Sequence, residues 1–150
     1  MGVFYADLLL EAGSLLGKAK IENDIFEILI EYVNSALQPD LSCLYIKNKI
    51  NSRMKLRLKR GFPKVPAFLQ SETELSIFLS ESKELVCLNS RKQSPFQELL
   101  LTETMNSGMV IPIFIKNIEY GNLFVNSLQP YYFKEKEILF LENLVSLVSV

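Results

Sequence analysis

Ser107-Gly108-Met109-Val110-Ile111-Pro112-Ile113-Phe114-Ile115 is followed by a polar turn, then by Tyr120-Gly121-Asn122-Leu123-Phe124-Val125, then by an amphipathic segment from about Lys134. Apolar runs of this length bounded by turn formers read as strands, and the steps of three and four linking Ile138, Leu141, Val145 and Val148 read as a helix. The order is strand, tight turn, strand, helix. Pro112 has no N–H to give to a ladder, so it fits a strand only at an edge or bulge position where that donor is not needed. Gly121 permits another backbone to approach closely just after the turn.

Upstream, residues 4–19 place Tyr5, Leu8, Ala12, Leu15 and Ala19 on a heptad-like helical seam, with Leu9 and Leu16 as a flanking row. Gly13 and Gly17 each weaken that helix by about 1 kcal/mol relative to Ala, so it needs a packing partner. A second helix, capped by Asn23 or Asp24, carries Ile25, Ile28, Leu29, Tyr32, Val33, Ala36 and Leu37 on a broad apolar face and ends at Pro39-Asp40. Residues 41–47 read as a strand, 48–52 as a turn, 53–60 as a strictly alternating strand and 84–89 as a short strand. The loop holding Pro63 and Pro66 leads into a short helix through Leu79 that Ser71 or Thr73 caps, and Ser94-Pro95 opens a further helix through about Thr102.

The runs at 41–47, 107–115 and 120–128 are apolar at nearly every position, which requires both faces of the sheet centre to be covered. The expected class is α+β: an antiparallel five- to six-stranded sheet with the N- and C-terminal helices on one face and short helices and loops on the other.

A chain of 150 residues is one domain that can bury a core without staples. A net charge of −1 supplies no field that would draw the whole molecule to nucleic acid. The sequence holds no histidine, which removes Ser-His and Cys-His nucleophile pairs and most metal sites, so neither an enzyme nor a metal protein is expected. Cys43 and Cys87 lie in apolar runs and read as small buried hydrophobes of a reducing compartment. The N-terminus lacks the basic opening of a signal peptide, and no apolar segment reaches the roughly 18 residues of a membrane span. The expectation is a cytoplasmic chain with no membrane or nucleic-acid partner.

The element order, with Val110-Ile111-Pro112 before the hairpin turn and Phe133-Lys134-Glu135 opening the last helix, resembles the GAF domain, a small sensory module of signalling proteins. The resemblance covers roughly residues 20–150 and leaves residues 1–19 as an N-terminal dimerisation or linker helix. It implies a profilin-like sheet with a cavity capped by the middle loops and short helices. Tyr45, Arg57, Phe62, Phe78, Cys87, Asn89, Phe96, Ser107 and Met109 are then the candidate ligand-binding residues, beside Phe68 and Met105 from the same segments. A filled core is the alternative for these aromatics. No cofactor is identified.

Members of the family that bind cyclic nucleotides carry an Asn-Lys pair and, well downstream, Phe followed by Asp and Glu. Asn48-Lys49 is present here, but Phe68, Phe78 and Phe96 lack the acidic pair, so Asn48-Lys49 reads as a turn. Bilin-binding members commonly set a histidine beside the pigment's cysteine, and this chain has none. Members that reduce free methionine sulfoxide use a set of cysteines, so that chemistry would require Cys43 and Cys87 to be accessible and adjacent.

Two further features carry alternatives. Between Leu41 and Ser71 lie Lys47, Lys49, Arg53, Lys55, Arg57, Lys59, Arg60 and Lys64 with only apolar and uncharged neighbours; strict alternation puts Arg53, Lys55, Arg57 and Lys59 on one face. That face is either a guarded edge strand or a docking stripe for an acidic partner. The last helix has a second stripe, Phe140, Leu144 and Leu147, more than one sheet face can cover. Tyr5, Leu8, Ala12 and Leu15 with Ile138, Leu141, Val145 and Val148 are therefore expected at a homodimer interface, or in an intramolecular helix pair. Ser149-Val150 brings no stop signal, so a fragment, or a helix that once ran on into an output domain, is expected. The functional expectation is a non-enzymatic GAF-type sensory domain that binds a small molecule or protein and dimerises. A ligand-free dimerisation module and a thiol-dependent reductase are the alternatives, separable by cavity volume and by the distance between the cysteines.

Overall fold

The computed structural model describes residues 2–19, 22–51, 53–70 and 72–148. Chain order is α1 (Gly2–Lys18), α2 (Glu22–Leu37), β1 (Leu41–Lys47), β2 (Arg53–Arg60), β3 (Phe68–Gln70), α3 (Glu74–Ser82), β4 (Val86–Leu88), a 3-10 turn (Gln97–Leu99), β5 (Ser107–Ile115), β6 (Ile118–Ser127) and α4 (Glu135–Ser146). Among the described residues the six strands form one sheet in the order β3-β2-β1-β6-β5-β4, with every pair antiparallel.

The hairpin β5–β6 pairs from Ser107↔Ser127 to Ile115↔Ile118, with one bulge where the register shifts between Ile113 and Phe114. It turns through Lys116 and Asn117, both at positive φ (52° and 66°), as a two-residue connection matching strand twist requires. Gly121 sits between Ile46 of β1 and Ile113 of β5, where a Cβ would run into the Tyr45 carbonyl. Pro112 lies beyond the last β4 pair, Val86↔Val110, so no strand flanks β5 there on the side away from β6.

Alternation along these strands feeds two cores. Leu44, Met109, Ile111, Ile113, Leu123 and Val125 face the layer of α1, α2 and α4, meeting Phe26, Leu29, Val33, Phe140, Leu141 and Leu144. Cys43, Tyr45, Met54, Val110 and Phe124 face the other way, under Leu75 and Leu79 of α3 and Leu99, Leu100, Leu101 and Met105. Burial on both faces is why the central strands read as continuous apolar runs.

Five expectations are corrected. The segment after Pro95 is a single 3-10 turn, not a helix to Thr102: Phe96 takes φ 73°, and Asn126 accepts the Leu101 N–H at 2.7 Å and donates to the Leu99 carbonyl at 3.0 Å. Those backbone groups are thereby taken from any helical ladder. Residues 68–70, given no element from the sequence, add β3 to the N-terminal end of β2.

The basic face of β2 is broken by a bulge, since Leu44 pairs Leu58 and Tyr45 pairs Leu56. Cys43 and its partner Lys59 face the α3 side, whereas the next residue, Arg60, turns to α2 and pairs Glu31 at 2.6 Å. Arg53 instead lies 4.1 Å over the Phe68 ring. The four cations therefore do not form one stripe.

Lastly, α1 packs on α2 and α4 within the chain. The Tyr5 ring lies 4.9 Å from that of Phe140, and its hydroxyl donates to Glu137 Oε2 at 3.2 Å. Ala12, Leu141, Val145 and Val148 are buried in the first core, and Tyr5, Leu8 and Ile138 pack against it, so the expected seam is largely consumed inside the chain. Leu15 stays exposed, and the other apolar side chains these helices present outward are Phe4, Leu10, Leu139 and Leu147. The cap expected of Asn23 or Asp24 is not made, because α2 begins at Glu22 and both residues lie inside the helix; Ser71 and residues 149–150 fall outside the described residues, and Thr73 caps α3, its hydroxyl accepting the Ser76 N–H at 3.1 Å. No helix among the described residues is long and apolar enough to cross a membrane.

Candidate functional site

Between the N-terminal end of α3, the β2–β3 edge and the floor of β6 lies a chamber of about 160 Å³, lined by Met54, Leu69, Gln70, Thr73, Leu75, Ser76, Glu98, Asn122 and Phe124. Its roof is held at both ends. Leu75 and Leu79 anchor α3 in the second core, and the Leu75 N–H donates to Glu98 Oε1 at 3.3 Å, tying the roof to the 3-10 turn. At the far end Ser80 donates to Glu119 Oε2 at 2.7 Å, and Lys47 Nζ donates to Glu119 Oε1, also at 2.7 Å. This partly buried cluster joins α3 to β1 and β6.

The floor carries two asparagines on the same side of β6, flanking Phe124. Asn126 is fully buried, with both ends of its amide bonded to backbone of the 99–101 segment. Asn122 is 2% exposed, its Nδ2 donates only to the Met54 sulfur at 3.7 Å, and its Oδ1 has no partner. A buried acceptor left unmade costs about 1–3 kcal/mol, so such a group needs a reason. The chamber can accept a small molecule that is mostly apolar and offers a hydrogen-bond donor. Among the described residues no three His, Cys, Asp or Glu side chains converge to hold a metal ion.

None of the nine candidates from the sequence lines this chamber. Tyr45 comes nearest: it lies on the correct face, edge-on to Phe124, but its hydroxyl is committed to the Pro66 carbonyl at 2.6 Å. Burial, and then the neighbouring Cys43, push its pKa upward. Phe78 and Phe96 stack on each other, ring centroids 5.4 Å apart, on the outer side of the second core. Phe62 is wholly exposed, because the loop after β2 carries it away from the sheet, and Arg57 is exposed at the bulge. Met109 and Cys87 pair across β5 and β4 on the helix-layer face, opposite to the chamber. Ser107 donates to the Gln129 carbonyl at 2.6 Å, and Asn89 accepts from the Cys87 thiol at 3.6 Å. The residues that line the chamber instead, Asn122 and Glu98 among them, left one usable signal: Asn122 is a polar residue inside a central strand that is otherwise apolar.

The thiols are separated as well. Cys43 of β1 and Cys87 of β4 lie on opposite faces with β6 and β5 between them, three strand spacings or about 14 Å apart, too far to bridge. Burial pushes Cys43 up to about 12, against a smaller lowering by Lys59, and pushes Cys87 up to about 11. Both stay protonated near neutral pH, and the thiolate is the reactive form.

No family model and no curated protein matches this sequence. Solved structures do. The chain is similar to the GAF domain of a phosphoenolpyruvate-protein phosphotransferase from Acinetobacter, at 25% identity and TM-score 0.76 over 96% of this chain and 89% of that one. It is similar to the free methionine-R-sulfoxide reductase of Neisseria meningitidis in complex with its substrate, at 15% identity and TM-score 0.83 over 99% and 87%. The chromophore-binding domain of a Stigmatella aurantiaca bacteriophytochrome matches at 12% identity and TM-score 0.80, over 99% of this chain and 59% of that one. The chain has a GAF-like fold.

Proposed function

We propose that this chain is a GAF-type sensory domain of a cytoplasmic signalling protein, without catalytic activity, that binds a small molecule under α3. The observation that carries this reading is the contrast on β6: Asn126 has both ends of its amide bonded to backbone, whereas Asn122, in the lining of a chamber, holds an unpartnered acceptor. Size narrows the ligand. About 160 Å³ falls short of the roughly 300 Å³ where drug-sized sites begin, yet a cavity of about 150 Å³ holds a benzene-sized molecule. A nucleotide or bilin would require α3 to move.

The fold alone does not separate a sensor from a reductase, since a reductase shares it. The placement of Cys43 and Cys87, apart and protonated, favours binding without thiol chemistry. Signalling requires that the ligand bind one arrangement of α3 and the sheet better than another, because equal affinity shifts nothing. The Lys47–Glu119–Ser80 cluster is the contact that such a shift would strain. The outward Leu10 and Leu15 of α1, Leu139 of α4 and Leu147 just after it supply an apolar surface for homodimerisation, through which occupancy would be passed to an output domain.

Native mass spectrometry of freshly purified protein tests both parts. A small adduct lost on denaturation and a doubled chain mass are the expected results. A bare chain mass that stays unchanged across a library of small metabolites would refute the sensory reading and favour a structural module.

A further inference from the structure

We propose that the chamber selects a small N–H-donating cation of the amidinium or alkylammonium class with a compact apolar body; this rests on the ligand-binding reading above. Two acceptors carry the selection, beside the Thr73 and Ser76 hydroxyls and the Gln70 amide, which can donate or accept. Asn122 Oδ1 on the floor has no partner, and Glu98 at the mouth is the one ionisable group in the lining, with the single Leu75 N–H on Oε1 at 3.3 Å. Neither Lys nor Arg lines the chamber. The start of α3 would ordinarily favour an anion, but three of its donors are committed: Leu75 N–H to Glu98, Ser76 N–H to the Thr73 hydroxyl at 3.1 Å, and Ile77 N–H to the Thr73 carbonyl at 2.9 Å.

An occupant that covers Glu98 removes water from a carboxylate, which is unfavourable unless the occupant brings donors of its own. An anion would add a second negative charge at the mouth and leave Asn122 Oδ1 unmade. A head with N–H groups in several directions serves both floor and mouth, while a few carbons lie against Met54, Leu69, Leu75 and Phe124. The volume equals about five water molecules, which sets the size at roughly five to eight non-hydrogen atoms.

Isobutyramidinium, isobutyramide and isobutyrate share one skeleton and differ in N–H donors and charge, so they separate the alternatives. Each is titrated into the full chain by NMR, reading the Asn122 side-chain amide and the Leu75 N–H. Isobutyramidinium is expected to bind at least tenfold more tightly than isobutyrate. Glu98→Gln, a change at an exposed carboxylate, should weaken isobutyramidinium about tenfold and leave isobutyramide within about twofold, the size expected for losing one charge-assisted bond. Asn122→Leu should remove both. Equal or tighter binding of isobutyrate overturns the proposed ligand class while leaving ligand sensing intact. Binding of none of the three also overturns it, and the adduct seen or not seen by native mass spectrometry then decides separately whether sensing itself falls.

Discussion

Asn122→Leu is expected to stabilise the protein while abolishing its binding. The Oδ1 atom is buried without a partner, a state that costs about 1–3 kcal/mol, and the 3.7 Å contact of Nδ2 with the Met54 thioether offsets little of it because sulfur is a weak acceptor. Leu has a similar branched shape, its methyl groups would face Met54, Leu69, Leu75 and Phe124, and the adjoining 160 Å³ leaves room for it. The expected gain is about 1–3 kcal/mol. At roughly 2–4 °C per kcal/mol for a chain of this size, a gain of about 2 kcal/mol raises Tm by about 4–8 °C.

Urea titration and scanning calorimetry measure it, on protein refolded from denaturant so that no retained molecule adds its binding energy to the wild type. Asn126→Leu is the control of opposite sign. It strips the Leu101 N–H and the Leu99 carbonyl of their partners and should lose about 2–5 kcal/mol. If Asn122→Leu is destabilising by more than about 1 kcal/mol, Asn122 is a structural residue like its neighbour and the argument for a ligand acceptor fails. A residue kept against stability is the usual mark of a functional site.

Gly121→Ala should cost more than about 3 kcal/mol or prevent folding, since the added methyl meets the Tyr45 backbone carbonyl and not a movable side chain; expression and urea midpoint report it. Cys43, buried, and Cys87, half-buried, should resist iodoacetamide at pH 8 in the native state and react fully in urea, and rapid native labelling of either would contradict the raised thiol pKa values. Because the folded state holds both thiol protons to about 12 and about 11 against an unfolded value near 9.0, their contribution is complete below pH 9 and is lost as pH climbs through 11 to 12; the urea midpoint should fall over that interval. Phe62→Ser should leave stability within about 0.5 kcal/mol and ligand affinity unchanged, because the ring lies wholly in solvent; a measurable affinity loss would return Phe62 to the site.

The hairpin from Ser107, the two N-terminal helices and the final helix were legible because their signals are local: a period of two or 3.6, turn formers, a capping Thr73. The segment 94–102 was not, because its conformation is set by Asn126, about 25 residues later in sequence, whose side chain takes over backbone groups at 99 and 101. The basic face of β2 failed for a related reason. A bulge opposite Leu44 and Tyr45 changes the side-chain phase by one residue, and no feature of residues 53–60 alone announces it. Candidate site residues were chosen by type and segment, yet a site also depends on face. Met109 and Val110 are adjacent in sequence and belong to opposite cores.

By itself the sequence determined an α+β domain with a two-sided central sheet, since strands such as Val110–Phe114 and Leu123–Val125 can satisfy their apolar side chains only if both faces are covered. Tertiary structure decided which polar groups inside that arrangement go without partners. Asn122 and Asn126 are the same residue type four positions apart on one strand, and only the packing of α3 and of residues 97–101 over them makes one a brace and the other an unpartnered acceptor. Hydrogen-bond satisfaction depends on where distant backbone lies in space, and local propensity carries no information about that.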